Sequence, residues 1–304
     1  MHQANDELTS QEAEAVASES MIEWERGQSA LRDEVTRVTT LLRSIRDPSS
    51  HAVGQWNLSE VAMHLSQVWL VVPSLARRDL SRVHEMVPSL VGAAGDSLIR
   101  DMWDLPDTMT LAVKSDPERD PAILADRIEV RAQEYFSECV GADPDAPRAW
   151  LVQGVTVAQS TLTYNLLNET VMHGYDIARA AGRRWRIEPT HAAMALARFI
   201  VPVSQALDSR AMVNAKKAAN VRATYDLRIR GGDSFHFIFD NGELNIAQPS
   251  PRRVDCHISA DPVAFLMVVW NRQGQWISIA KRQLTAWGRK PWLGPQLRAL
   301  MRNP

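Results

Sequence analysis

The sequence has only two cysteines among its 304 residues, Cys139 and Cys256, and they stand far apart and in no CxxC motif. A disulfide framework is therefore excluded, and we expect a reducing compartment. Positive charge is not in excess either, because 34 Lys and Arg residues face 36 Asp and Glu residues, a formal net charge of -2. This balance argues against a protein whose main task is to neutralise nucleic-acid phosphates.

Long hydrophobic runs are missing as well. Runs such as residues 68–73 are far shorter than the roughly 20 residues that a membrane span needs. The N-terminal segment is acidic and polar and has no apolar core of a signal peptide, so we expect a cytoplasmic protein. The sequence also contains no GxSxG, P-loop or GxGxxG motif.

The hydrophobic period changes near residues 212–220. Before that point, the helical spacing of apolar residues recurs in five stretches: 24–47, 57–73, 121–140, 158–181 and 190–210. After it, apolar residues alternate with polar ones over 225–229 and 235–239, and Asn241-Gly242 follows as a hairpin turn. The change of period predicts a helical region followed by a strand-containing one.

These patterns predict an α plus α+β fold. We expect a mobile N-terminal arm (1–19), a helical bundle (20–215) and a small α+β C-terminal domain (216–304). Residues 84–121 are rich in Pro and Gly and are predicted to form a long crossover. Pro73 and Pro202 are predicted to kink or end their helices. Asn57, with Glu60 three residues later, predicts a capping box at the start of the second helix, and Asp261-Pro262 predicts the start of a helix in the C-terminal domain.

Glu169 and His173 are four residues apart on a predicted helix, so their side chains share one face. Leu166 and Ile177 place both on the buried stripe, where an unpaired carboxylate is costly. Such a carboxylate needs a cation, a proton or several hydrogen bonds. His64 holds the same kind of inward position on another predicted helix.

Two imidazoles and one carboxylate suffice for Zn²⁺ with an open position for water or substrate. The same set matches the facial triad of non-haem Fe(II) enzymes, although those enzymes usually mount it on strands. Simpler interpretations remain open: His64 as a core histidine, and Glu169 with His173 as a hydrogen-bonded pair. Spacing alone does not join His64 to the other two.

Two segments resemble the mycothiol-dependent maleylpyruvate isomerases, a family within the DinB-like superfamily. WNLSEVAMHLSQ (56–67) is similar to the family's first metal-ligand segment, and NETVMHGYDIARAAG (168–182) is similar to its second. The C-terminal part resembles the family's small sterol-carrier-like domain. The resemblance covers roughly residues 20–300 and implies a DinB-like four-helix bundle followed by that domain.

The resemblance also implies roles for individual residues. His64, Glu169 and His173 would be the ligands of zinc or another divalent metal, and Asp176 would orient one of them. An arginine of the C-terminal domain would bind a substrate carboxylate, and Arg272 is the candidate because Trp270-Asn271-Arg272 resembles a Trp-Gly-Arg segment. Arg228 and Arg230 are competing candidates for that role.

The implied activity uses mycothiol, an actinobacterial thiol, as cofactor. Its thiolate would add to the double bond of a cis-dicarboxylate such as maleylpyruvate, and rotation and elimination would give the trans isomer. One alternative is a mycothiol S-transferase acting on an electrophile in detoxification or natural-product biosynthesis. Two others are an Fe(II) oxygenase or sulfoxide synthase and a non-catalytic small-molecule binding protein. The expected partners are a small electrophile and a low-molecular-weight thiol, with neither nucleic acid nor membrane.

Overall fold

The computed structural model describes residues 2–86 and 99–302, with side chains from residue 15 onward. Its helices, in chain order, are α1 (His2–Arg43), α2 (Leu58–Arg77), α3 (Ser81–Met86), α4 (Leu105–Ser115), α5 (Pro121–Glu138), α6 (Gln159–Ala180), α7 (Pro189–Ala195), α8 (Val201–Ala206), α9 (Ala215–Ala218), α10 (Pro262–Val269), α11 (Gln275–Ala280) and α12 (Leu297–Leu300). Its strands are β1 (His51–Val53), β2 (Trp56–Asn57), β3 (Pro147–Ala149), β4 (Thr156–Ala158), β5 (Arg222–Ile229), β6 (Ser234–Asp240), β7 (Glu243–Ala247), β8 (Cys256–Ala260) and β9 (Leu284–Trp287).

The chain divides into two compact units. The first contains the described residues before position 87 together with Ala112–Trp150 and Thr156–Trp185. The second contains residues 99–111, 151–155 and 186–302 of the described chain. The predicted fold class, a helical bundle and a small α+β domain, is confirmed.

Four long helices form the first unit. Each of α1 and α2 packs against both α5 and α6, so the four helices close into a bundle around a shared apolar core. Trp24 and Leu31 of α1 and Trp69 of α2 are among the fully buried side chains. Within the described chain, no helix is long and apolar enough to cross a membrane.

The start of α2 confirms the capping box predicted at Asn57. The Asn57 side chain accepts a hydrogen bond from the Glu60 amide at 3.0 Å, and the Glu60 carboxylate accepts one from the Asn57 amide at 2.9 Å. Helix α2 continues through Pro73 to Arg77 instead of ending there. The cap therefore fixes the residue at which α2 begins, and this start determines which face of the helix each later α2 residue occupies.

A five-stranded sheet forms the centre of the second unit. Its strand order is β7-β6-β5-β8-β9, with β5 and β8 parallel and the other pairs antiparallel. The predicted hairpin turn joins β6 to β7, and both Asn241 (φ 50°) and Gly242 (φ 89°) have left-handed backbones. Helix α10 begins as predicted, with the Asp261 carboxylate accepting a hydrogen bond from the Ala264 amide at 2.9 Å.

Three features differ from the sequence-based expectations. The bundle was expected to extend to residue 215, but the compact units divide after Trp185, because α7 packs against α10 and α8 against β7. The single helix expected over 190–210 is interrupted by a π-helical turn, Leu196–Ile200, and ends at Ala206.

The other difference concerns the N-terminal arm. The described residues of 1–19 belong to α1, and residues 15–19 are exposed, in keeping with their lack of an apolar period. The mobility of this arm stays a prediction. Of the predicted crossover over 84–121, residues 87–98 lie outside the described residues, and the remainder contains α4 and a 3₁₀ turn.

Candidate metal centre

The cluster of His64, Glu169 and His173 lies between two neighbouring helices of the first unit. His64 projects from α2, and Glu169 and His173 project from α6, one turn apart. The structure thus brings together the two segments that sequence spacing alone could not join. One nitrogen from each imidazole and one carboxylate oxygen all lie within 4.8 Å of one another.

A single carboxylate oxygen faces both imidazoles. Oε2 of Glu169 lies 3.2 Å from Nε2 of His173 and 3.6 Å from Nε2 of His64. The two rings meet edge to face, with centroids 4.8 Å apart. The three side chains retain only 9% (His64), 15% (Glu169) and 12% (His173) of their exposure. The cluster is therefore nearly enclosed, with a small opening to solvent.

Burial and mutual contact shift the pKa values of this cluster in different directions when no metal is bound. Burial lowers the pKa of His64. Burial by itself would raise the pKa of Glu169, but the imidazoles of His173 and His64 outweigh it and hold that pKa well below its usual range. Burial would also lower the pKa of His173, but the carboxylates of Asp176 and Glu169 raise it to about 9.

Two of the three separations between candidate ligand atoms fit a tetrahedral metal ion. Ligand atoms about 2.1 Å from a tetrahedral zinc ion are separated by about 3.4 Å. The two separations from Glu169 Oε2, 3.2 Å and 3.6 Å, bracket that value. Both histidines direct the same atom, Nε2, toward this oxygen. The donor set of two nitrogens and one oxygen leaves a coordination position for an exogenous ligand.

Surrounding side chains orient the three candidate ligands. Oδ2 of Asp176, which is fully buried, lies 3.3 Å from Nδ1 of His173, so Nε2 is left for a metal. Nδ2 of Asn168 donates to Oε1 of Glu169 at 3.3 Å and leaves Oε2 facing the histidines. The Trp56 ring lies 5.0 Å from the His64 ring, at an angle of 41°.

Two of these neighbours were not predicted as site residues. Trp56 and Asn168 belong to the sequence segments that resemble the family, but nothing in their spacing assigns them a contact. Asn168 directly precedes Glu169, so helical geometry alone would place it on a different face. The structure shows that its amide still reaches the carboxylate oxygen that faces away from the histidines.

Arg272 lies in the turn that follows α10 in the second unit. Its guanidinium donates to the carbonyl of Trp270 at 2.7 Å. Asn271 has a left-handed backbone with φ 54°. This conformation favours Gly, and Asn is one of the few other residues that adopts it readily. Asn271 is therefore compatible with the turn that this segment forms.

The two competing arginines also lie in the second unit and have partners within it. Arg228 forms an ion pair with Asp226 at 2.7 Å, and Arg230 donates to the carbonyl of Gln283 at 3.0 Å. The cluster described above consists of first-unit residues only. A contribution of Arg272, Arg228 or Arg230 to catalysis stays a prediction.

The four-helix bundle and the enclosed His-Glu-His cluster together define the class of this protein, which is a helical-bundle protein with a candidate metal centre. Residues 29–178, which include all three cluster residues, match the family model described as the mycothiol maleylpyruvate isomerase N-terminal domain. This part of the chain belongs to that family. The predicted family is confirmed.

Solved structures are similar to this chain only at low identity. A crystal structure of the mycothiol-dependent maleylpyruvate isomerase is 12% identical, and the match covers 86% of this chain and 92% of that one with a TM-score of 0.48. A histidine-to-alanine mutant of that enzyme gives the same values. The sec-alkylsulfatase Pisa1 from Pseudomonas sp. is 13% identical over 48% of this chain and 27% of its own, with a TM-score of 0.27. No curated protein sequence matches this chain at a significant level.

Proposed function

We propose that this chain is a metal-dependent, mycothiol-using enzyme that converts a maleylpyruvate-like cis-dicarboxylate to its trans isomer. The observation that carries the proposal is the enclosed cluster of His64, Glu169 and His173, on the two segments that the family model covers. Zinc is the metal that this donor set favours, although iron shares it. A bound zinc ion with an open position lowers the pKa of a thiol, so that the thiolate forms at neutral pH.

The residues of this chain prepare that chemistry in three ways. His64, Glu169 and His173 would hold the metal through Nε2, Oε2 and Nε2. Asp176 and Asn168 orient the side chains that they contact, which keeps the three donor atoms convergent. Near-complete burial of the cluster limits the access of water that would compete for an open position.

The state of the two cysteines agrees with the use of an external thiol. Burial raises the pKa of Cys139 to about 11, and burial also raises the pKa of Cys256, so neither thiol is activated. Neither belongs to the cluster. A thiol that enters as a cofactor would supply the activated sulfur that neither cysteine provides. A carboxylate of the substrate would be bound bidentately by an arginine, for which Arg272 is our candidate.

The test is an isomerisation assay with purified protein, mycothiol and maleylpyruvate, in which the trans product is measured. We expect turnover only when metal and thiol are both supplied. His173→Ala should lower the turnover rate by more than about 100-fold, because loss of a metal ligand should cost more than loss of a residue that only orients a ligand, which costs up to about 100-fold. His84→Ala, which removes an exposed histidine of α3, is the matched control and should retain full activity.

The fate of the thiol separates the isomerase from the S-transferase. An isomerase returns mycothiol unchanged, whereas a transferase accumulates a stable thioether that mass spectrometry detects. Oxygen consumption with bound iron would instead favour the oxygenase. If the protein turns over no electrophile whether or not metal and thiol are added, the proposal is contradicted and a binding protein is favoured.

A further inference from the structure

The five-stranded sheet of the second unit has two edge strands, β7 and β9, and they differ in what covers them. At β7, the Leu244 amide donates to the Ser209 carbonyl and the Gln205 side chain donates to the Ile246 carbonyl, both at 2.8 Å. Strand β9 has β8 as its only strand partner within the described chain. An edge strand whose outer side is uncovered offers unpaired backbone groups to another chain.

The register of β9 identifies its outward backbone groups. The Asp261 amide donates to the Gln283 carbonyl at 2.8 Å, and the pairing with β8 continues in step along β9. Bonded and non-bonded residue pairs alternate in an antiparallel ladder, so the backbone of Thr285 faces β8 and those of Leu284 and Ala286 face away. Among the described residues, neither Leu284 nor Ala286 makes a backbone hydrogen bond to a further segment. The outer side of β9 therefore offers the amide and the carbonyl of both residues.

Strand β9 itself lacks the features that usually protect a sheet edge. Its sequence, LTAW (284–287), contains neither a charged residue nor a proline. Thr285, Ala286 and Trp287 are all exposed. Natural edge strands commonly carry charges, prolines or bulges that prevent pairing with another strand. The composition of β9 thus favours an edge that binds a strand over one that repels it.

Exposed tryptophans surround this edge. Of the ten tryptophans, all of which lie in the described chain, the exposed ones are Trp276 (64%), Trp287 (41%) and Trp292 (61%). They belong to α11, to β9 and to the 3₁₀ helix that follows β9, and β9 packs against both of the others. The Gln275 side chain also donates to the Pro295 carbonyl at 3.2 Å and links α11 to that 3₁₀ helix. Tryptophan is enriched among the residues that dominate binding energy at protein interfaces.

Positive charge lies at both ends of β9. Lys281 and Arg282 precede the strand, Arg289 and Lys290 follow it, and no Asp or Glu stands between them. Lys281 and Arg282 are both exposed. Arg289 and Lys290 share a single carboxylate, that of Asp255. The charge along this edge is therefore positive, and an occupant that carries carboxylates complements it.

The charges and the backbone groups together discriminate between occupants. Antiparallel pairing of β9 with a second copy would bring Lys281 and Arg282 of one chain close to the basic residues that follow β9 in the other, and like charges destabilise a strand pair. A membrane surface would accept tryptophans and basic residues, but lipid does not satisfy the outward amides and carbonyls. An extended peptide with carboxylate side chains satisfies both the charges and the backbone groups.

We propose that β9 is a docking edge for an extended acidic peptide segment of a partner protein. The segment pairs with Leu284 and Ala286 as an additional strand of the sheet, and its carboxylates lie near the basic residues at the two ends of β9. In this mode of recognition, main-chain hydrogen bonds supply affinity and the flanking side chains supply specificity. The edge contains no residue of the metal cluster, so the proposal does not depend on the isomerase activity.

Fluorescence anisotropy of dye-labelled peptides titrated with the full chain tests the proposal. The acidic probe alternates valine with glutamate. Its counterparts are the valine–lysine peptide and the fully N-methylated acidic peptide, which keeps the charge and donates no backbone hydrogen bond. We expect the acidic probe to bind saturably and at least about tenfold more tightly than either counterpart. No saturable binding of the acidic probe, or equal affinity for either counterpart, would overturn the proposal.

A proline substitution locates the edge that binds. Ala286→Pro removes an outward amide and leaves the hydrogen bonds to β8 in place, and edge strands tolerate proline where the amide faces away from the sheet. It should weaken binding of the acidic probe at least about tenfold. If the thermal midpoint shows that this variant misfolds, the N-methylated probe tests the same hydrogen bonds from the peptide side. A folded Ala286→Pro variant with unchanged affinity would place the probe elsewhere.

Two double variants test the charge. Lys281→Gln with Arg282→Asn should weaken binding of the acidic probe at least about tenfold, and Asn suits position 282 because its backbone is left-handed, with φ 55°. The matched control is Lys216→Gln with Lys217→Gln, which removes the same charge from exposed positions of α9 and should leave the affinity unchanged. Equal effects of the two double variants would contradict the proposed charge recognition.

Two further measurements identify the other occupants. Binding to phosphatidylserine vesicles without binding of the acidic probe would assign this surface to a membrane. Dimerisation in sedimentation experiments that Ala286→Pro abolishes would assign the edge to a second copy of the chain. Either result would overturn the proposal.

Discussion

At the scale of single residues, Asp176 is the side chain whose role is most specific. Its carboxylate lies 3.3 Å from Nδ1 of His173 and is fully buried. Asp176→Asn removes the charge that orients the imidazole, so we expect metal affinity to fall by about 10- to 100-fold. Competition with a chromogenic chelator measures this affinity.

The matched control is Asp126→Asn, which removes an exposed carboxylate of α5 that pairs with Arg43 at the surface of the first unit. It should leave metal affinity unchanged. Equal affinities of Asp176→Asn and the unsubstituted protein would show that Asp176 does not position His173.

The pKa of His173 predicts a pH dependence of metal binding. In the metal-free protein this pKa is raised to about 9, so at pH 7 His173 is protonated and must lose its proton to bind metal. Burial lowers the pKa of His64, which is therefore already neutral and releases none.

We consequently expect about one proton released per zinc at pH 7, and an apparent affinity that rises as the pH approaches 9. Calorimetry in buffers of different ionisation enthalpy counts the protons. The same raised pKa implies that, without metal, the contribution of His173 to stability is complete below about pH 6.5 and is lost as the pH rises through about 9. Zinc affinity that stays constant between pH 6 and 9 would contradict the assigned protonation state.

At the scale of secondary-structure elements, the approach of α1 to α6 depends on Gly27. A Cβ at this position would lie 2.6–2.8 Å from ring atoms and the hydroxyl of Tyr164, a buried residue of α6. The ring cannot easily move, because its hydroxyl donates to the Glu23 carbonyl at 2.8 Å. Gly27→Ala should therefore destabilise the protein by about 1–3 kcal/mol through overpacking.

Helix propensity acts in the opposite direction, since Ala is favoured over Gly by about 1 kcal/mol within a helix. The sign of the change thus reports whether the close contact dominates. Ser29→Ala, an exposed position of the same helix, is the control and should be neutral or slightly stabilising. Urea denaturation measures both, and a more stable Gly27→Ala variant would contradict the packing of α1 on α6.

Some features of the secondary-structure elements could be predicted from the sequence and others could not. Local signals were sufficient for the capping box at Asn57, the turn at Asn241-Gly242 and the cap at Asp261, because each depends on neighbours in sequence. The π-helical turn had no such signal. It lies between α7 and α8, which pack against α10 and β7 within the second unit, and this tertiary packing decides both the position of the turn and the boundary of the compact unit.

The candidate site likewise has contacts that the sequence could predict and contacts that depend on tertiary packing. The periodicity of one helix placed Glu169 and His173 together, but only the packing of α2 on α6 brings His64 to within 3.6 Å of the carboxylate. The family resemblance anticipated this meeting, whereas spacing did not. Asn168 was missed because its contact depends on a side-chain conformation that no pattern encodes.

At the scale of the whole molecule, the cluster links metal binding to stability. A metal that binds only the folded chain stabilises it by about 2.7 kcal/mol at a free concentration of 100 times the dissociation constant. We expect EDTA to lower the temperature at which the first unit unfolds and zinc to restore it. His173→Ala should show neither response, and an equal response in that variant would place the metal elsewhere.

The most direct test of the central claim is the metal content of the protein purified without a tag and without added metal. Inductively coupled plasma mass spectrometry would compare the unsubstituted chain, His173→Ala and His84→Ala. The His64–Glu169–His173 site predicts about one equivalent of zinc in the unsubstituted protein and in His84→Ala, and loss of that zinc in His173→Ala. No metal in any of the three, with equal thermal stability, would mean that the cluster is a set of buried polar residues and would contradict the account.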